Sequence, residues 1–370
     1  MSNLIISTVG TSLITNLADK NQQRDLYKYS NCKENECPSD VKDLIENLFQ
    51  LALDRLNTND LSSIRRMSAE LNGILGFYAE NLNGRNNDMH FLICTDTYQG
   101  KKSAEVVKNF LNNHNIPAEI IQPRNLSTKN KETFSEGVKD LLRWFDEIIY
   151  QYKISGYNII FNLTGGFKSL QGYLNTVAMF YADKIIYIFE SEYSELIEIP
   201  RLPIKIDFEP FEKNKEKLLL LNANKIFSLS DFKEIPEAIL DEIDGKVILS
   251  VWGEVIWNKI KYELFEKLPE LPFIKYHDNF KRKIHDMVDK KQKVNLLEAL
   301  AKVSVILENS NGDTSSLSKS GFQYSPLLSK EFEGKQVYHF RHGIDLRINC
   351  IKQNNYLLLI DFGTHDQTQS

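Results

Sequence analysis

The chain has 370 residues, 42% of them apolar and 26% charged, with 45 Lys/Arg against 50 Asp/Glu. That length exceeds one typical small domain and implies two or three, and the balance of residue types excludes a disordered or collagen-like chain. The longest apolar runs, such as residues 185–189 and YLLLI at 356–360, fall far short of the ~20 residues of a spanning helix, so no membrane contact is expected.

The start, MSNLIISTVGTS, lacks a basic segment leading into an apolar stretch and a small-residue cleavage site. The expected location is therefore the cytoplasm. Cys32 and Cys37 could supply half a zinc site, but no second Cys/His pair lies nearby at ligand spacing, so no metal site is expected.

From residue 1 to about 200, short β-rich runs alternate with segments of helical spacing. Strands are expected at 4–9, 89–95, 118–123, 157–164 and 184–191, and helices at 40–56, 61–82, 103–114, 133–153 and 168–182. Such alternation predicts an α/β, Rossmann-like domain with a parallel sheet covered on both faces. Ligands of such sheets bind beyond the carboxyl ends of the strands. Three clusters of small polar residues fall at those ends: GTS (10–12), TDTYQGKKS (95–103) and NLTGGFKS (162–169). Backbone N–H groups, hydroxyls and lysines gathered there would suit a phosphate-bearing ligand.

After residue 200 the alternation stops. Residues 206–270 read as a helical connector with its clearest helix at 229–243, and LPELP (268–272) marks a boundary, because two close prolines break any helix. Residues 271–370 then read as a small α+β domain of two helices and an antiparallel sheet. A Gly/Ser/Asn-rich loop at 308–321 separates the helices from strands in QVYHFRHG, LRINCIKQ and YLLLIDFG. Asn354 and Asn355 provide a hairpin turn between the last two. Residues 275–370 carry 14 Lys/Arg against 11 Asp/Glu, whereas the rest of the chain is acidic.

NLTGGFKS is not a Walker loop. That motif places four residues between its glycines to wrap a terminal phosphate, whereas Gly165 and Gly166 are adjacent and Lys168 follows after one residue. A tight strand-to-helix turn would explain the glycines without any ligand. Binding a nucleotide backbone without cleaving a terminal phosphate is the better fit.

STVGTS, TDTYQG and above all NLTGGFKS resemble the strand-end motifs of the CRISPR-associated Rossmann-fold (CARF) sensor domains, over roughly residues 1–205. The resemblance implies a homodimer that binds cyclic oligoadenylate, with cyclic tetra-adenylate the expected form, as an activator; no other cofactor is expected. Carried over, the ligand-binding positions are Gly10, Thr11, Ser12, Thr95, Asp96, Asn162, Thr164, Gly165, Gly166, Phe167, Lys168 and Ser169. Some such domains also cut the ring. The R-x(4–6)-H signature of HEPN ribonucleases occurs once, from Arg85 to His90. It enters a strand inside the sensor region and is read as coincidence.

The last region, from about Tyr276, resembles the RelE/HigB-type mRNA interferases. The likeness rests on two helices followed by YHFRHGIDLRINC and LLLIDFGTHDQ. It implies catalytic roles for Arg341, Arg347 and His365, with His339 where relatives often carry lysine. The tyrosine that the family carries a few residues further on has no counterpart before Ser370.

The residue types suit metal-independent RNA cleavage. The substrate's own 2′-oxygen attacks the adjacent phosphate, an arginine fork stabilises the charge, and His365 protonates the departing 5′-oxygen. The expected whole is an endoribonuclease of type III CRISPR defence, switched on by cyclic oligoadenylate and acting on mRNA, free or on the translating ribosome. The alternatives are a ligand-responsive regulator that binds nucleic acid or ribosomes without cutting, and a nuclease for the cyclic ligand.

Overall fold

The structure is a computed structural model that describes residues 2–58, 60–189, 195–343 and 346–364, the side chains of Ser329 and His342 excepted. It divides between Lys205 and Ile206 into two compact units.

The first unit is α/β. Strand β1 (Asn3–Thr8) leads through helices α1 (Ser12–Thr15), α2 (Lys20–Lys28), α3 (Ser39–Leu56), α4 (Leu61–Met67) and α5 (Ala69–Phe77) to β2 (Met89–Ile93). Helix α6 (Tyr98–Asn113) leads to β3 (Ala118–Ile121), α7 (Lys131–Ile154) to β4 (Asn158–Asn162), and α8 (Lys168–Tyr181) to β5 (Lys184–Ile188). These five strands pair in parallel in the order β3-β2-β1-β4-β5. A sixth, unexpected strand, β6 (Leu196–Pro200), adds antiparallel to β5.

Alternation along the strands divides the core into two layers. Ile5, Leu92, Ile160 and Ile186 pack with α3, α5 and α6. On the other side, Phe145 of α7 meets Phe161 with ring centroids 5.4 Å apart. The strand order reverses between β1 and β4, the switch point where such sheets open a crevice.

The helix expected over 61–82 is broken. Ser68 lies in the extended region (φ −150°, ψ 150°) and caps α5 by accepting from the Leu71 N–H at 3.1 Å. A serine here competes with the helix for backbone donors and restarts it.

The second unit begins with α9 (Glu209–Asn222). Residues 229–243 do not form the expected helix. They make two 3₁₀ turns, Leu229–Phe232 and Glu237–Ile239, and then β7 (Leu240–Ile243), which pairs with β8 (Lys246–Leu249). Pro236 removes a helix donor, and Asp244 and Gly245 (φ +51° and +72°) form the left-handed turn that a two-residue hairpin requires.

Helix α10 (Val251–Leu264), strand β9 (Ile274–Tyr276) and helices α11 (Asp278–His285), α12 (Lys290–Asn309) and α13 (Ser315–Lys319) follow. The chain then forms β10 (Ser325–Phe332), β11 (Lys335–His342), β12 (Leu346–Gln353) and β13 (Tyr356–Gly363). The sheet order is β10-β11-β12-β13-β9, antiparallel except that β9 joins β13 in parallel. Strands β9 and β10 were not foreseen. The loop expected over 308–321 carries α13, whose Leu317 is fully buried.

Residues 206–270, expected as a separate helical connector, are packed into the same core as the last sheet. Phe211, Leu218, Trp257 and Ile260 join Leu297, Leu300, Phe340, Ile348 and Leu359 in one cluster. Lys261 also pairs with Glu298 of α12 at 2.9 Å, with both side chains largely buried. Among the described residues, no helix is long and apolar enough to cross a membrane.

Candidate functional sites: a switch-point crevice and an arginine face

Beyond the ends of β1 and β4, two turns close on a buried carboxylate. Glu70, in the first turn of α5, is 1% exposed. Its Oε1 accepts from the Gly10 N–H at 2.5 Å and the Gly166 N–H at 3.2 Å. Its Oε2 is buried without a hydrogen-bond partner among the described residues.

The adjacent glycines answer to this packing. A Cβ on Gly165 would lie 2.3 Å from the Glu70 carboxyl carbon, and one on Gly166 would lie 2.8 Å from the Thr8 Cβ. Gly166 also has φ +92°, a conformation that strains any other residue. Thr8 donates its hydroxyl to the Gly165 carbonyl, and Gln171 of α8 donates to the carbonyls of Leu163 and Gly165 at 3.0 and 2.8 Å. Glu70, Thr8 and Gln171 were not among the expected site residues. The visible signal for Glu70 was Ser68-Ala69-Glu70, a helix cap with an acid in the first turn.

The expected ligand-binding residues separate into two sets. Asn162 is fully buried and points inward, donating to the Ser7 hydroxyl and the Glu70 carbonyl, each at 3.2 Å, and accepting from Thr164 Oγ1 at 2.8 Å. Thr95 bonds Thr97 Oγ1 at 2.9 Å and sits under Gly100, whose Cβ would lie 2.2 Å from Thr95 Oγ1. Asp96 holds a neighbouring turn, accepting from Lys33 Nζ at 2.7 Å and the Asn125 N–H at 3.0 Å. These four residues build the walls.

The accessible set is Gly10, Thr11, Ser12, Gly166 and Phe167, all half-buried, with Lys168 and Ser169 exposed at the start of α8. Gly165 is buried between Glu70 and Thr8. The rim thus offers hydroxyls, a helix N-terminus and one lysine to an anionic ligand.

Arg85 and His90 serve packing. His90 is fully buried, with Nε2 2.9 Å from the Tyr78 hydroxyl, which donates to Asp88 at 3.0 Å. Burial pulls the His90 imidazole down to about 3, against the opposing influence of Asp88. Arg85 lies over the Tyr78 ring at 4.9 Å.

The second site is the face of the last sheet turned away from the helices. Phe340, Ile348 and Cys350 face the core, so their neighbours His339, Arg341, Arg347 and Asn349 lie on the opposite face. Arg341 stands directly across from Arg347, and His339 across from Asn349. On β13, Asp361 is the partner of Asn349 and accepts from Lys283 of α11 at 2.8 Å. Arg347 and His339 are 7% and 8% exposed. Arg341 is half-buried, and its Nε makes no hydrogen bond among the described residues. His365 lies outside the described residues. Two guanidinium groups set directly opposite across paired strands present adjacent forks of donors that suit an anion.

EFEGK (331–335) is the turn between β10 and β11, with Glu333 and Gly334 at φ +50° and +72°. Cys37 is buried and Cys32 half-buried, both as free thiols. Burial, with Cys32 beside it, pushes the Cys37 thiol up.

One comparison with known proteins bears on the first unit. Residues 65–202 match the model of a family described as CRISPR-associated protein (Cas_APE2256). The match spans about a third of the chain, including Glu70 and the NLTGGFKS turn.

Proposed function

We propose that the chain is a ligand-activated endoribonuclease of CRISPR-linked antiviral defence. In this reading the first unit is a CARF sensor, dimerises, and takes a cyclic oligoadenylate at the rim formed by Thr11, Ser12, Lys168 and Ser169. The second unit is a RelE-like effector that cuts RNA on the sheet face bearing Arg341 and Arg347. The family match supports the first half. The observation that carries the second is the pairing of Arg341 with Arg347 on adjacent strands.

The chemistry follows from that pair. The RNA 2′-hydroxyl gives up its proton to solvent as its oxygen attacks the neighbouring phosphorus, the bond to the 5′-oxygen breaks, and a 2′,3′-cyclic phosphate and a 5′-hydroxyl result. Two guanidinium forks stabilise the charge on the non-bridging oxygens as the phosphorus becomes five-coordinate. His339, beside Arg341 on the same strand face, is assigned a contact to phosphate, and His365 the proton donated to the leaving oxygen. Activation requires the ligand to bind the cutting arrangement more tightly than the idle one.

A second reading, retention of RNA or ribosomes without cleavage, is favoured by one observation. Arg347 and His339 are only 7% and 8% exposed, which restricts the access of substrate to both.

The test incubates end-labelled mRNA and programmed ribosomes with the purified protein across a panel of cyclic oligoadenylates. Ligand-dependent cleavage that Arg347→Ala abolishes, with ligand affinity retained, is the expected result. Retention of RNA without cleavage supports the second reading. Loss of the ligand alone indicates a ring nuclease.

A further inference from the structure

The N–H groups of Gly10 and Gly166 are the donors that a phosphate at the switch point would use, yet both are directed to Glu70 Oε1. The protein's own carboxylate occupies the nest. Gly10, Gly165 and Gly166 close around it so tightly that a Cβ on Gly165 would overlap the carboxyl group. Glu70 is 1% exposed, and its second oxygen has no hydrogen-bond partner among the described residues. A phosphate approaching this crevice therefore finds the backbone donors taken and a negative charge directly behind them. Lys168 and the hydroxyls of Thr11 and Ser12 remain available at the rim.

We infer that Glu70 determines specificity by rejecting ligands that end in a phosphate and admitting those whose only charges are internal phosphodiesters. This rests on the sensor reading above and adds the reason a closed ring is preferred. A phosphodiester carries one charge and can lie across the rim, facing Lys168. A terminal phosphate monoester carries close to two charges and seeks several N–H donors, which here are held by a like charge. The repulsion is strong because the carboxylate is buried and little screened.

Glu70→Gln separates charge from architecture. The amide oxygen can still accept from both glycine N–H groups, and its NH₂ would replace an oxygen that accepts nothing. The experiment titrates the full-length protein with cyclic tetra-adenylate and with linear tetra-adenylate ending in either a 3′-hydroxyl or a 3′-phosphate. For the wild type, the added phosphate should weaken binding of the linear ligand by about tenfold or more. In Glu70→Gln that penalty should shrink to within about threefold, with ring affinity changed by less than that, as a charge-specific coupling requires.

An equal phosphate penalty in both proteins overturns the inference and leaves the sensor reading intact. So does a wild type indifferent to the phosphate, a measurement that stands even if the variant fails to fold. Failure of the wild type to bind any ring overturns both.

Discussion

On the proposed reading, the groups of the first unit that meet a ligand are hydroxyls, a helix N-terminus and one exposed lysine set in turns at strand ends. In the second, they are guanidinium groups rooted in two paired strands. The crevice takes its shape from backbone geometry, so most single side-chain changes at its rim should alter affinity modestly. The arginine face depends on particular charged forks held in register, and losing one should remove most of the function. A site that senses tolerates graded contacts, whereas a site that stabilises a transition state needs fixed ones.

Three measurements would break or sharpen that contrast. The largest effect is expected at Arg341. Arg341→Ala should lower the ligand-activated cleavage rate by about 10²–10³, the loss typical of one oxyanion donor. Arg341→Lys should recover only part of it, because lysine lacks the planar fork. Ligand affinity, measured on the same samples, should be unchanged in both. A parallel fall in affinity would merge the two sites that the comparison separates.

The next effect lies in the scaffold of the first unit. The His90 imidazole titrates at about 3 when folded and near its ordinary 6.5 when unfolded. The unfolded chain therefore binds a proton that the folded chain refuses, and stability present above pH 6.5 is lost as the pH falls towards 3. Between pH 6.5 and 4.5 this amounts to roughly 2 kcal/mol. Denaturant titrations should show a weaker acid dependence in His90→Gln than in the wild type. Equal slopes would remove His90 from the account.

The smallest effect is expected at the rim. Lys168→Ala should weaken cyclic tetra-adenylate binding by about three- to fivefold, the range of an exposed ion contact. The variant should also show a shallower salt dependence, read by calorimetry at low and high salt. A loss on the scale of the Arg341 variant would mean that the crevice too depends on one charge.

Much of the first unit was legible in the sequence because its signals are local. Five strands were expected within about three residues of their observed ends, and β4 and α8 flank the NLTGGFKS turn as expected. The second unit was less so. Pro236 and the Asp244-Gly245 turn convert a helical pattern into a hairpin. Tyr276, where the region of two helices and a sheet resembling the interferases was expected to begin, instead ends an edge strand beside β13. Short segments of this kind take their conformation from a distant partner, which periodicity does not record.

The sequence by itself determined the alternation that makes a parallel sheet, the placing of polar clusters at its carboxyl ends, and the spacing that puts Arg341 and Arg347 on flanking strands. Only the tertiary structure decided which of those polar groups remain accessible. Asn162 and Thr95 turn inward because buried polar atoms must find partners, while Lys168 and Ser169 stay outside at a helix start. The position of Glu70 was likewise undetermined. It reaches Gly10 across 60 residues and Gly166 across 96, and contacts that distant arise only when packing brings α5 against the ends of β1 and β4.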